Sequence, residues 1–249
     1  MSNASVILDA PLRCGDCPIR HRAVCAYCEA PQLAALDAIK SYRTFKAGDT
    51  IAWAGEPLVT VGSVVSGVAT LSRTLADGRR QMVGLLLPSD FVGRPGRASS
   101  PYDVVAANEV TLCQFRRSAF EDLTRSTPEL ERRLLDMTLD ELDAAREWML
   151  LLGRKTAREK IASLLAIVAR RDAALRKQTP KNGLRFTLPL TREAIADYLG
   201  LTIETVSRQI SALKKDGIIV LEDTRNVRVP DFAVLLDEAS DDSDGGFIV

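Results

Sequence analysis

"LTREAIADYLGLTIETVSRQISALKKDGIIVLEDTRNVRV", residues Leu190 to Val229, decides the fold. It holds two helical stretches separated by Gly200-Leu201-Thr202. The first begins after Thr191 and the second after Thr202, and a threonine hydroxyl there accepts from the free N–H groups of a helix's first turn. Ile195 and Leu199 form the apolar side of the first stretch; Ile203, Val206, Ile210 and Leu213 form that of the second. The second ends at Gly217, in the C′ position where a left-handed backbone costs glycine nothing. Two short helices around a three-residue, glycine-containing turn predict a helix-turn-helix. "IIVLEDTRNVRV" then reads as a hairpin turning near Thr224-Arg225-Asn226, so the unit is winged.

In such a unit the N-terminal residues of the second helix face the major groove of double-stranded DNA. Opposite its apolar stripe stand Glu204, Thr205, Ser207, Arg208 and Ser211. Arginine can donate twice to guanine, glutamate can accept from cytosine N4, and the hydroxyls can serve bases or phosphates. A winged helix used only for packing rarely places a carboxylate here, because phosphates repel it; Glu204 reads as a base contact. Charge points the same way. The chain is neutral overall, yet Arg154 to Arg228 carries sixteen Lys/Arg against eight Asp/Glu, which suits an anionic partner for that block. The terminal "DEASDDSDGG" is acidic and reads as a disordered tail over 237–249.

Upstream, the pattern from Pro128 to Leu152 is a long helix. Leu135, Leu142 and Met149 recur every seven residues, interleaved with Thr138, Ala145 and Leu152. That seam is what a helix pairing with its own copy needs, in a homodimer, although one amphipathic helix packed on its own domain gives a similar pattern. From Tyr42 to Arg116 short β-like runs alternate with glycine turns, among them Ala47-Gly48-Asp49 and Ala54-Gly55-Glu56. Asp77-Gly78 joins two extended runs and marks a hairpin. The expected class is α+β. A cysteine-rich loop (1–30) precedes a jelly-roll barrel (31–120), then come a dimerisation helix (121–153), a winged helix-turn-helix (154–236) and the tail.

Four of the five cysteines crowd into "CGDCPIRHRAVCAYC", Cys14 to Cys28. No apolar run approaches the roughly 18 residues of a membrane span, and the start lacks the basic and apolar regions of a secretion leader. A cytoplasmic location is expected, and in that reducing compartment clustered thiols more often hold metal than form disulfides. Cys14-x2-Cys17 with Cys25-x2-Cys28 is a pattern that can bind structural zinc, with a short spacer and with Cys113 left idle. His21, the single histidine, could ligate a metal but reads as a solvated loop residue.

The order of sensor barrel, long helix and winged helix-turn-helix resembles the CRP/FNR superfamily of bacterial transcription regulators over nearly the whole chain. Glu204-x-x-Ser207-Arg208 resembles the E-x-x-S-R signature of its FNR branch, which implies recognition of TTGA half-sites in an inverted repeat. The loop carrying Thr74, Asp77, Gly78, Arg79 and Arg80 resembles the one that touches RNA polymerase in FNR-like activators. The cyclic-nucleotide pocket of other branches reads D-F-x-G-E-L followed by R-[ST]-A. Here Asp90-Phe91-Val92-Gly93 fits, but Arg94 replaces the ribose-binding glutamate, and Pro101 stands about where the phosphate-binding arginine belongs, with Arg97 nearby. A pocket without its anion partner binds a cyclic phosphate poorly, so no cyclic nucleotide is expected.

The resemblance also implies a [4Fe-4S] cluster. Cys14, Cys17, Cys25 and Cys113 match the branch's ligand design, and the seven-residue second gap resembles FnrL-type members. Cys113 would then clip the N-terminal loop onto the barrel, leaving Cys28 spare. Pro18 removes an N–H beside a ligand sulfur and is expected to alter oxygen lability. Branch members can carry an acidic residue in the helix seam, where Ala145 stands here; a dimer independent of the cluster is the expectation. An iron–sulfur electron carrier is the rival from another class. With one histidine, no nucleotide-binding glycine loop and no nucleophile–base set, an enzyme is not expected. A regulator answering to another effector is the third reading.

Overall fold

The computed structural model describes residues 13–240. The chain divides into two compact units, Met1–Met137 and Thr138–Val249. Among the described residues no helix is long and apolar enough to cross a membrane.

The first unit is built on two four-stranded sheets. One has β1 (Lys40–Phe45), β8 (Val110–Arg116), β3 (Thr60–Ser66) and β6 (Phe91–Val92) in that order; the other has β2 (Thr50–Ala52), β7 (Asp103–Ala106), β4 (Ala69–Thr74) and β5 (Arg80–Leu86). Phe45, Val64, Val92, Val110 and Leu112 from the first sheet meet Ala69, Leu86, Val104 and Ala106 from the second in one core, as the jelly-roll reading requires. β4 and β5 pair antiparallel around the Asp77-Gly78 turn. There Gly78 takes φ +86° and Asp77 accepts from the Arg79 backbone at 3.1 Å and its Nε at 2.8 Å.

Side chains alternate across a strand, so β8 serves two cores. Val110 and Leu112 fill the barrel, whereas Cys113 and Phe115 face the opposite way. On that outer side, α1 (Ala30–Ile39), α2 (Arg117–Arg125) and the start of α3 (Pro128–Arg154) bring Leu36, Phe120 and Leu130 together. Cys14, Val24 and Cys28 complete this second core. Cys113 is therefore not a barrel-interior residue, as its strand position alone invites one to assume. Gly62 makes the arrangement possible. It pairs with Gln114, and a Cβ built on it would lie 2.3 Å from the Cys113 carbonyl oxygen.

The region read as one dimerisation helix over 121–153 is two helices. α2 ends at Arg125, and Ser126-Thr127 breaks the chain before Pro128 opens α3. A residue before proline is pushed out of the helical region, and proline itself suits the first helical position.

In the second unit, α4 (Ala157–Leu175) is capped by Thr156, whose hydroxyl accepts from Glu159 N–H while Glu159 accepts from Thr156 N–H. Most of α4 is buried. α5 (Arg192–Leu199) and α6 (Ile203–Lys215) form the helix-turn-helix. Thr191 and Thr202 accept from Ala194 and Thr205 at 3.1 and 3.2 Å, and Gly200 takes φ +63° between the helices. α6 ends in a Schellman turn: Ile218 N–H donates to Leu213 O at 3.0 Å and Gly217 N–H to Lys214 O at 3.1 Å. The wing is a three-stranded sheet in the order β10 (Val220–Leu221), β11 (Asn226–Val229), β9 (Leu184–Thr187). Asp223 tightens its turn by accepting from Arg225 and Asn226 N–H, both at 2.7 Å.

Two expectations need correction. Asp237 and Glu238 belong to α7 (Phe232–Glu238) rather than to a disordered tail, and Ala239 is buried behind them. Arg158 holds α7 in place, with its guanidinium 2.5 Å from Glu238 and 2.7 Å from Asp216. The remainder of the predicted tail, 241–249, lies outside the described residues, as do residues 1–12 of the N-terminal loop. Ile203, assigned to the buried stripe of α6, is 45% exposed, because its place in the first helical turn lies beyond the reach of the core.

Two stability changes follow. Gly62→Ala forces β3 away from β8 backbone, which cannot rotate aside, and is expected to cost about 1–3 kcal/mol in denaturant unfolding. Thr202→Ala leaves the first turn of α6 without its acceptor and should cost about 1 kcal/mol, with Thr202→Ser restoring most of it.

Candidate functional site

Two regions carry chemistry, and each is assembled within one unit. In the first, residues 14–28 fold as a chain of tight turns: Arg20 N–H donates to Cys17 O at 3.0 Å, Ala23 to Ile19 O at 2.9 Å and Cys28 to Cys25 O at 3.1 Å. Ile19, Ala23 and Val24 are buried and anchor the segment. Arg20 braces it from within, donating to Ala26 O at 2.8 Å and to Cys28 O. Cys14 opens a single 3-10 turn, and its N–H donates to Asp37 Oδ1 at 3.0 Å.

Cys113 meets this segment from β8, where it lies directly across from Tyr42 on β1 and Ser63 on β3. Burial raises the thiols of Cys14, Cys25 and Cys28 to about 11 and that of Cys113 to about 12; Cys17 is raised by the same cause. After burial, the largest push on Cys113 comes from the sulfurs of Cys14, Cys17 and Cys25. The structure thus brings together the four cysteines singled out in the sequence. Cys28 packs into the apolar core with Val24, Leu36 and Leu130. Among the described residues, no three His, Cys, Asp or Glu side chains converge on a single-ion site.

Four thiols in one place are a donor set that an iron–sulfur cluster can use. A buried thiol that resists ionisation loses its proton when a metal takes its place. A zinc tetrahedron with Zn–S near 2.3 Å requires four sulfurs at single-ion range; a cubane takes each thiolate on a separate iron. The negative charge of bound thiolates has counter-charges at hand. The Lys40 side chain, only 6% exposed and paired with Asp37, lies 3.7 Å from Cys14 Sγ, and Arg20 acts electrostatically on Cys17, Cys25 and Cys28. Ser63 has a buried hydroxyl with no hydrogen-bond partner, on the same face as Cys113. Sequence reading missed Lys40 and Ser63. Their only signal was the strand register, which places Ser63 opposite a cysteine only once β3 and β8 are paired.

The second region is the outer face of α6. Glu204, Ser207, Arg208 and Ser211 are exposed on it. The Glu204 carboxyl is held below the ordinary carboxylate range by its own backbone N–H and then by the Thr202 hydroxyl, so it stays ionised at the positive end of the helix. Thr205 departs from expectation: it is half-buried, and its hydroxyl bonds Thr202 Oγ1 at 3.1 Å. It completes the cap. In the same unit a 640 Å³ groove is lined by Arg192, Lys214 and Arg225 together with Asp223 and Thr224.

Along α3, Leu135, Thr138, Leu142, Ala145 and Met149 are exposed and Leu152 is half-buried. Leu139, not singled out by the heptad count, is exposed as well and extends the stripe. On the β4–β5 hairpin, Thr74, Asp77, Gly78, Arg79 and Arg80 are exposed together with Leu75. Arg94 and Arg97, at the position of the nucleotide pocket, point to solvent.

Residues 159–238 match the Crp-like helix-turn-helix domain, and residues 42–127 match the cyclic nucleotide-binding domain. The chain is 66% identical over 237 residues to the transcriptional activator protein FnrL of Cereibacter sphaeroides, covering 95% of this chain and 96% of that protein. It is 39% identical over 210 residues to the nitrogen fixation regulation protein FixK of Bradyrhizobium diazoefficiens, covering 84% and 86%. The solved structure of FixK2 from Bradyrhizobium japonicum superposes with a TM-score of 0.71 at 32% identity, over 80% of this chain and 96% of that one. With both domains in this order and this identity along nearly its full length, the chain belongs to the CRP/FNR family of DNA-binding transcription regulators.

Proposed function

We propose that this chain is a cytoplasmic transcription activator that binds TTGA-type inverted repeats as a homodimer. Its signal is oxygen, read through a [4Fe-4S] cluster on Cys14, Cys17, Cys25 and Cys113. The observation that carries the reading is the meeting of Cys113, on the outer face of β8, with three thiols of the N-terminal segment. When bound, the cluster supplies an oxygen-labile crosslink between that segment and β8.

The chain's own residues do the rest. Lys40 holds positive charge beside the sulfur of Cys14, and the unpartnered Ser63 hydroxyl can donate toward a sulfur near Cys113. Such hydrogen bonds tune cluster stability. A crosslinked segment is pinned to the face it covers and a free one is held only by its packing and hydrogen bonds, so occupancy biases a two-state equilibrium. Ala145 places no like charges in the seam, and the dimer persists in both states. Regulation then acts on helix orientation. Two copies of α6 present Arg208, Ser207 and Glu204 to half-sites about 34 Å apart, with Arg208 on guanine and Glu204 on cytosine. The exposed β4–β5 hairpin is the surface for RNA polymerase, in keeping with the activator role that the FnrL relative's name carries.

Protein purified without oxygen should contain about four iron and four sulfide per chain. Its visible absorbance and its affinity for a TTGA repeat should fall together in air. Serine at Cys14, Cys17, Cys25 or Cys113 should abolish iron binding, and Cys28→Ser should retain it. Zinc with air-stable DNA binding would overturn the signal while leaving the regulator. Arg208→Ala should weaken the specific site by about 1–3 kcal/mol and relax the preference for guanine at one position. Sedimentation is the check on Ala145: the cluster-free protein should sediment as a dimer at all concentrations used for DNA binding, and a monomer would return regulation to association.

A further inference from the structure

We propose that Tyr27, Arg133 and Asp136 form a latch that carries the state of the cysteine segment to helix α3. They act as positioning residues that touch neither the cluster nor DNA. The inference rests on the functional reading above.

Tyr27 lies between Cys25 and Cys28. Its hydroxyl donates to Asp136 Oδ2 at 2.9 Å, and its ring is flanked by the guanidinium groups of Arg133 and Arg132, 5.5 and 5.7 Å from the centroid. These distances are within cation–π range. Arg133 also donates to Arg22 O at 2.6 Å and to Ala23 O at 3.4 Å. Residues 22 to 27 are thus gripped by the second and third turns of α3. Arg20 ties the same segment to the carbonyls of Ala26 and Cys28, so the sulfurs and the latch belong to one braced piece of chain. Leu135, the first residue of the seam, sits between Arg133 and Asp136 and is 57% exposed.

The division of labour is physical. Val24, Cys28 and Leu130 supply apolar adhesion, which is non-directional and tolerates several placements of a loosened segment. The polar latch is directional and accepts one. Tyr27 is 43% exposed, and solvent-facing contacts of this kind add little to stability. They are weak enough to open when the segment loosens, and specific enough to set where α3 begins its run when it does not.

The test uses the full chain purified without oxygen, with Arg133→Gln, Tyr27→Phe, Asp136→Asn and the last two combined. Iron content, affinity for the TTGA repeat and hydrogen exchange over residues 128–142 are measured for each. Arg133→Gln should keep wild-type iron, bind DNA about tenfold more weakly and exchange faster over that segment. Tyr27→Phe, which removes the hydrogen bond, should have the larger effect and Asp136→Asn the smaller, because a carboxamide oxygen can still accept from the hydroxyl; the double variant should show no more than Tyr27→Phe alone. Wild-type affinity and exchange in all the variants would overturn the latch. So would iron lost in step with affinity, which would make these residues part of the cluster's support. A wild-type protein without iron would instead overturn the oxygen reading, and the latch would still stand or fall on the exchange of Arg133→Gln against wild type.

Discussion

Strand β8 has to satisfy two cores at once, and the first unit depends on its doing so. Its two-residue period sends Val110 and Leu112 into the barrel and Cys113 and Phe115 to the other side. The outer face would be an exposed apolar surface were it not covered by α1, α2, the start of α3 and the cysteine segment. The thiol site is part of that cover. Burial makes the thiols hard to ionise, and it also gives a metal bound there a dry, braced surround. Gly62 is the local condition for all of it, since any side chain there would strike the backbone at Cys113.

In the second unit the corresponding constraint is the pair of capped helices. Thr191, Gly200, Thr202 and Gly217 each settle a helix end, so α6 starts and stops where its outer face can carry Glu204, Ser207 and Arg208. The carboxylate that would repel a phosphate is pinned at the N-terminus of the helix, where backbone N–H groups favour its charge. Its exposure therefore costs the fold little while keeping a base-reading group in a fixed place. Arg158, joined to both Asp216 and Glu238, links the end of α6 to α7, which is why the chain stays ordered past the point where its composition turns acidic.

What could be read in advance, and what could not, separates along the range of the forces involved. Caps, the turn at Asp77-Gly78, the apolar stripes of α5 and α6 and the seam of α3 are local patterns, and they are legible because each depends on neighbours within about one turn. Ile203, exposed at the start of α6, shows that periodicity alone cannot say where a helix leaves the core. The heptad pattern begins at Pro128, where α3 begins, but it carries no sign that 121–125 belong to a separate helix, α2.

The sequence by itself determined the chemistry available: four thiols at suggestive spacing, a basic winged helix-turn-helix with a glutamate and an arginine on its outer face, and a helix with a repeating apolar seam. Only the tertiary structure decided which thiols share a site. Strand pairing and the alternation of β8 turn Cys113 toward Cys14, Cys17 and Cys25, and the same register sets Ser63 opposite it. Lys40 reaches Cys14, and Tyr27 reaches Asp136, by contacts between residues far apart in the chain. Such contacts follow from how buried surfaces close on one another, and no local pattern records them.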